Sequence, residues 1–151
     1  MGDLDDLVAL HAAPEVAQFM RTLPRERAIE RIAASDEEWR DRGHGLLAIV
    51  ERDSRRFLGR TGLRYWPEFG ETEIGWALHP EHWGRGYATE AASAVLGWAF
   101  RAFDLEYLTA MIRPDNLRSS RVAEQLGMTP IREDVLRGIP VLVYAIRRGR
   151  G

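Results

Sequence analysis

A chain of 151 residues with 45% hydrophobic and 9% aromatic residues has the size of one ordinary domain and enough apolar material for one packed core, which excludes a repeat array and wholesale disorder. Folding at this length removes about 70% of the unfolded chain's surface from water. Twenty-one basic against 23 acidic residues leave a net charge of −2, without the basic footprint of a nucleic-acid or anionic-membrane binder.

The first quarter has a helical pattern. Asp3 to Ala12 forms one helix, Pro14 opens a second over Glu15 to Met20, and Pro24 begins a third that runs to about Arg40, with Ile29, Ile32 and Ala33 as its apolar stripe. Gly43 and Gly45 end the helical run. Short extended segments follow: Leu46 to Glu51, Phe57 to Arg64 after the Arg52-Asp53-Ser54 turn, and Glu71 to Leu78 after Pro67 and Gly70. From Thr89 to Phe103, Ala92, Leu96, Ala99 and Phe103 recur at helical spacing, and Ala91, Val95 and Trp98 widen that face, which predicts a helix packed on the sheet. Tyr107 to Ile112 is a buried strand. Asp115 or Asn116 caps a further helix with Gly127 as its left-handed stop, and two strands, Met128 to Glu133 and Ile139 to Arg147, complete a mixed α/β order.

The absence of cysteine excludes disulfides, thiolate zinc sites and cysteine nucleophiles. The apolar stretches are too short to cross a bilayer, and the acidic start Met1 to Asp6 is no signal peptide, so a cytoplasmic, non-membrane protein is expected. All 21 basic residues are Arg, and no function is read from that.

The chemically informative stretch is Leu78-His79-Pro80-Glu81-His82-Trp83-Gly84-Arg85-Gly86-Tyr87-Ala88-Thr89-Glu90, where a strand gives way to a helix. Gly84 and Gly86 let the backbone turn with no Cβ in the way, so successive N–H groups can converge on one anion at the positive end of the next helix. That is a pyrophosphate cradle; a plain tight turn is the other reading of the same residues. A Walker loop is closed off because the chain has no Lys, and a dinucleotide fingerprint is weak because its third glycine position holds Thr89. His79 and His82 lack a third clustered ligand, so no metal site is expected.

This stretch resembles the acetyl-CoA signature of the GNAT superfamily of N-acetyltransferases, Arg/Gln-x-x-Gly-x-Gly/Ala, which falls on Trp83-Gly84-Arg85-Gly86-Tyr87-Ala88 with Trp83 departing at the first position. That departure, with Thr89-Glu90-Ala91 following, is similar to the branch holding the ribosomal-protein N-terminal acetyltransferases. A second segment agrees: Pro114-Asp115-Asn116-Leu117-Arg118-Ser119 through Glu124-Gln125-Leu126-Gly127-Met128 is similar to that branch's Asn-x-x-Ser helix ending in Leu-Gly-Phe/Met. The resemblance covers nearly the whole chain, as one domain over residues 1–151, and implies a central, mostly antiparallel twisted sheet flanked by helices. Relatives usually begin with a Thr-x-Arg-Leu-x-Leu-Arg strand that is missing here; either the natural start lies upstream or the sheet is one strand shorter, with an edge to be covered by another chain or a loop.

The resemblance also implies roles. Backbone N–H groups of Gly84, Arg85, Gly86, Tyr87, Ala88 and Thr89 hold the CoA pyrophosphate, and Trp76, Ala77 and Leu78 pair with the pantetheine arm like an added strand. The Arg85 side chain attracts phosphates, or is a solvated loop residue. Asn116 touches the CoA arm, caps its helix, or does both. Ser119 is the candidate acid for the departing thiolate, since the position of the Tyr found in many relatives holds Ala123; a solvent-facing Ser is the alternative. The Glu that some relatives carry five residues before the Asn is Met111 here, which leaves Glu73 as the candidate base, acting through water. Glu73 shares a strand face with Glu71, which is expected to point to water.

The expected reaction is direct transfer of acetyl from acetyl-CoA to an amine, with backbone N–H groups at the split of the sheet stabilising the oxyanion. An α-amine of pKa near 8 costs about 1.4 kcal/mol to deprotonate at pH 7 and a Lys side chain roughly 5 kcal/mol, which tilts the acceptor toward a protein N-terminus or a small amine. No nucleic acid or membrane partner is expected, and the chain is a monomer or homodimer. The alternatives are a non-catalytic acyl-CoA-binding module and a nucleotide or phosphometabolite binder of another α/β fold.

Overall fold

The computed structural model describes residues 2–20 and 22–149, and the side chains from residue 4 onward within them. Three helices come first: α1 (Gly2–Ala12), the single turn α2 (Pro14–Ala17) and α3 (Arg25–Arg42). The second helix is shorter than expected: it ends at Ala17 with Gln18 still at helical φ and ψ as its C-cap, and residues to Met20 continue only as turn, Met20 N–H bonding to Val16 O at 2.9 Å. Its N-terminal Pro14 costs nothing, since a first-turn N–H has no intrahelical acceptor. In α3 the buried residues are Ala28 and Ser35, with Ile32 partly buried, while Ile29 is 47% exposed. The predicted apolar stripe is therefore rotated by about one residue, toward small side chains that let α1 approach.

The strands are β1 (Leu46–Val50), β2 (Phe57–Trp66), β3 (Glu71–Leu78), β4 (Tyr107–Ile112), β5 (Thr129–Leu136) and β6 (Ile139–Arg147). They form one sheet in the order β1-β2-β3-β4-β6-β5, antiparallel except between β3 and β4. No strand precedes β1 among the described residues, and the edge that β1 presents is met from within the chain. Ser35 Oγ accepts from Leu46 N–H at 2.7 Å, and Trp39 Nε1 donates to Leu46 O at 3.2 Å. The edge that was expected to need another chain or a loop is thus partly satisfied by α3.

Helix α4 (Tyr87–Ala102) buries Ala92, Val95 and Ala99 against Leu63, Ile74 and Trp76 of the sheet, and α5 (Leu117–Gln125) adds Ala123. Alternation along β3 sends Ile74 and Trp76 into that core and Glu71, Glu73 and Gly75 to the opposite face. Helices α1 and α2 pack on the latter face through Leu10, Val16 and Ala77. The sheet separates two surfaces, and the parallel partners β3 and β4 are in register at one pair, Glu73 with Thr109, beyond which β3 has an open edge. No described helix is long and apolar enough to cross a membrane.

Candidate active site

After β3 the chain makes a 3-10 turn over Pro80–His82 and enters α4 through Gly84 and Gly86, at φ of +80° and +78°. A Cβ on either glycine would meet no protein atom within 4 Å, so their positive φ keeps clear a space that opens outward. None of the amides of residues 84–89 donates to an acceptor among the described residues, and the first helical bond at this end is Glu90 N–H to Gly86 O. Six unspent donors at a helix N-terminus can receive a doubly charged diphosphate.

A groove of about 560 Å³ runs from this loop between α4 and α5 to Trp76 on β3. His79 N–H bonds to Leu58 O on β2, so by alternation the main-chain groups of Trp76 and Leu78 face the open edge and those of Ala77 face β2. Leu78 O already accepts from Trp83 Nε1 at 3.1 Å. Gly84, Gly86, Tyr87, Ala88 and Thr89 line the groove, and the Arg85 side chain does not; it is exposed on the loop. The basic side chains of the groove come from α5 instead: Arg118, over the Trp83 ring at 4.0 Å, and Arg121. Thr89 Oγ1 donates to Gln125 Oε1 at 2.6 Å and ties the two helices together.

Asn116, not Asp115, caps α5. Its Oδ1 accepts from Ser119 N–H at 3.3 Å, and its Nδ2 donates to Ser119 Oγ at 3.2 Å. The hydroxyl oxygen is thereby occupied as an acceptor while its proton stays free to donate. Trp76, Asn116 and Ser119 stand where the groove meets a second cleft of about 1050 Å³ on the α1–α3 side of the sheet.

Glu73 lines that cleft. Its Oε1 accepts from Trp66 Nε1 and its Oε2 from Met111 N–H, both at 2.9 Å. The carboxylate thus bridges β3 to β4 where they part, and lies beside the strand position where the sequence holds Met111. Desolvation raises its pKa against the opposing influence of those hydrogen bonds and of Arg60 and Arg64. One amide at the split, that of Met111, is consequently committed to Glu73.

Glu71 does not point to water. It is 6% exposed, takes Arg132 Nη1 and Nη2 at 2.9 and 2.6 Å, and accepts from Tyr107 Oη at 2.9 Å. Arg132 also holds Asp134 at 2.8 Å. The hydrogen bonds from Arg132 depress the Glu71 pKa, so this carboxylate stays ionised and ties β3 to β5 across β4 and β6. Two glutamates on one strand face are thus pushed in opposite directions, one by an arginine and one by burial. Trp66, Arg118 and the arginines of the cleft went unread in the sequence, although Arg60, Arg64 and Trp66 share one face of a single strand. Among the described residues no cluster of His, Asp or Glu could hold a metal.

The sequence profile described as "Acetyltransferase (GNAT) domain" matches residues 1–129. The uncharacterized N-acetyltransferase YnaD of Bacillus subtilis is 35% identical over 82 residues, 53% of this chain and 47% of YnaD. The chain spans about half the length of the first curated relatives it matches. A crystal structure of an acetyltransferase from Agrobacterium tumefaciens is 31% identical with a TM-score of 0.84, covering 98% of this chain and 86% of that one. A GnaT-family acetyltransferase from Bordetella pertussis is 27% identical with a TM-score of 0.82, covering 96% and 90%. Structures described as a ribosomal-protein-serine acetyltransferase and an aminoglycoside acetyltransferase, at 17% and 15% identity, share the fold.

Proposed function

The chain belongs to the acetyltransferase (GNAT) domain family, and from that premise we propose that it moves an acetyl group from acetyl-CoA directly to an amine. The observation that carries the reading is the set of six unspent amides at residues 84–89, opening onto a groove that leads to Ser119 and Glu73. Acetyl-CoA, when bound, supplies a thioester on which the amine forms a new N–C bond as the C–S bond breaks.

In this reading the loop amides bind the diphosphate, with Arg118 and Arg121 adding positive charge along the groove. The open edge at Trp76 and Leu78 lies along the pantetheine arm. Asn116 orients the Ser119 hydroxyl, which donates its proton to the departing sulfur and is reprotonated by the proton that the attacking nitrogen sheds as the amide forms. Glu73, with its basicity increased by burial and its orientation fixed by Trp66 and Met111, takes the proton of the ammonium, directly or through one water. No residue is acylated. The resemblance at residues 83–91 and 114–128 supports a place in the ribosomal-protein N-terminal acetyltransferase branch, which favours an α-amine acceptor. The domain extends over residues 1–151 and acts in the cytoplasm as a monomer or homodimer.

CoA-thiol release, measured across peptides, polyamines, aminoglycosides and amino acids, tests the reading. Release above the hydrolysis blank is expected for at least one class; acetyl-CoA binding without any release would instead indicate a binding module. Ser119→Ala is expected to lower kcat by about 10- to 100-fold, with acetyl-CoA affinity changed by less than about threefold. Unchanged kcat would remove Ser119 as the acid.

A further inference from the structure

The cleft on the α1–α3 side of the sheet is strongly basic for a chain of net charge −2. Among the described residues its lining carries six arginines against two glutamates, Glu30 and Glu73. Arg31 comes from α3, Arg60 and Arg64 from one face of β2, and Arg137 from the turn between β5 and β6. Arg64 lies in register with Glu73 on the neighbouring strand. The Glu73 carboxylate accepts from Trp66 and Met111, and its single charge offsets these arginines only in part.

Among the described residues, no carboxylate lies within ion-pair distance of Arg31, Arg60 or Arg64. Arg60 Nε instead donates to His11 Nε2 at 3.2 Å, and Arg64 lies over the Trp66 ring at 4.0 Å. Burial, together with the mutual repulsion of these cations, pushes all three down to about 10, against the opposing attraction of Glu73 on each and of Glu38 on Arg31 and Arg64. Holding like charges together in a partly desolvated cleft is unfavourable, and an anion placed among them offsets it. None of these arginines lines the groove at the glycine loop, so the diphosphate assigned to that groove does not account for them.

We propose that the acceptor amine carries an anionic oxygen group, carboxylate or phosphate, which Arg31 and Arg64 hold while the amine reaches Glu73. The inference rests on the proposed acetyl transfer and names the class of its acceptor. Guanidinium groups are suited to both oxyanions through paired N–H donors. The same field disfavours polycations such as polyamines and aminoglycosides.

The test pairs acceptors that differ in anionic charge: glycine with glycinamide, 2-aminoethyl phosphate with ethanolamine, and the peptide amides Ala-Glu-Asp-Ala with Ala-Gln-Asn-Ala, with spermidine as the polycation. Acetyl-CoA binding is measured separately by calorimetry. The anionic member of at least one pair is expected to show a kcat/KM at least about tenfold above its partner, the factor that 1.4 kcal/mol represents. The first and third pairs report on carboxylates and the second on phosphate.

In Arg31→Gln and Arg64→Gln that preference is expected to fall to less than about threefold, with acetyl-CoA affinity retained. Arg64→Lys is expected to restore part of it. Equal rates within every pair, a preference that survives both substitutions, faster turnover of spermidine, or no turnover of any anionic amine would each overturn the inference while leaving acetyl-CoA binding intact. Absence of acetyl-CoA binding in the unaltered chain would overturn the underlying function, and this inference with it.

Discussion

Glu73→Gln is expected to lower kcat by about 10²- to 10³-fold, with acetyl-CoA affinity changed by less than about threefold. The loss follows, on the proposed mechanism, from removing the carboxylate assigned to take the ammonium proton. Burial raises the Glu73 pKa, so in the unaltered chain the kcat/KM profile has a limb above the ordinary carboxylate range. Deprotonation of the amine gives a second limb, which moves when the acceptor's pKa is changed; the limb of Glu73 stays in place and disappears in the Gln variant. A profile whose limbs all follow the acceptor would exclude Glu73 as the base.

The same substitution carries a stability signature. Because the folded pKa of Glu73 lies above the unfolded one, the folded state holds the extra proton, and stability falls as pH rises between the two values. The Gln variant lacks that fall. It also leaves one of the two donors, Trp66 Nε1 or Met111 N–H, without its acceptor, at a cost of about 1–3 kcal/mol. Urea unfolding should therefore show the variant less stable at low pH, with the gap narrowing as pH rises through the carboxylate range; a gap that widens would contradict the assigned shift.

The second large effect is at the loop. Gly86→Trp is expected to weaken acetyl-CoA binding by at least about 100-fold, since the ring would fill the space above the amides while the backbone stays in place. At φ +78° any side chain adds roughly 1–2 kcal/mol of strain, so a binding loss alone could be read as local unfolding. Gly70→Trp separates the two: Gly70 has φ +62°, also has no atom within 4 Å of its added Cβ, and lines neither cavity. It should lose similar stability and keep acetyl-CoA. Equal binding losses in both variants would assign the Gly86 effect to strain.

What the sequence reveals here is local. Glycines at 84 and 86 predict positive φ because both effects are properties of one residue and its neighbours, and Asn116 predicts a cap for the same reason. Strand β3 matches its predicted bounds at Glu71 and Leu78, since Gly70 and Pro80 fence it on both sides. Side-chain partners across elements are another matter. Nothing near Glu71 in the sequence announces Arg132, 61 residues on, so the pair that turns Glu71 inward was not legible.

Met111 offers no carboxylate of its own on β4; the parallel neighbour β3 brings that of Glu73 to its amide, a contact that no single strand's sequence shows. Arg85 stands between the two glycines in the sequence, yet its side chain is exposed while Arg118, on a separate helix, reaches the groove. The basic cleft draws on α3, β2, the segment after β4 and the last hairpin, four segments that only the register of the sheet and the packing of α3 bring together.

The most direct measurement is a crystal structure of the chain with CoA. Diphosphate oxygens are expected about 2.7–3.2 Å from several main-chain nitrogens between residues 84 and 89, with the thiol end beside Ser119 and Trp76. A diphosphate bound elsewhere, or held by side chains alone while those nitrogens face away from it, would contradict the account.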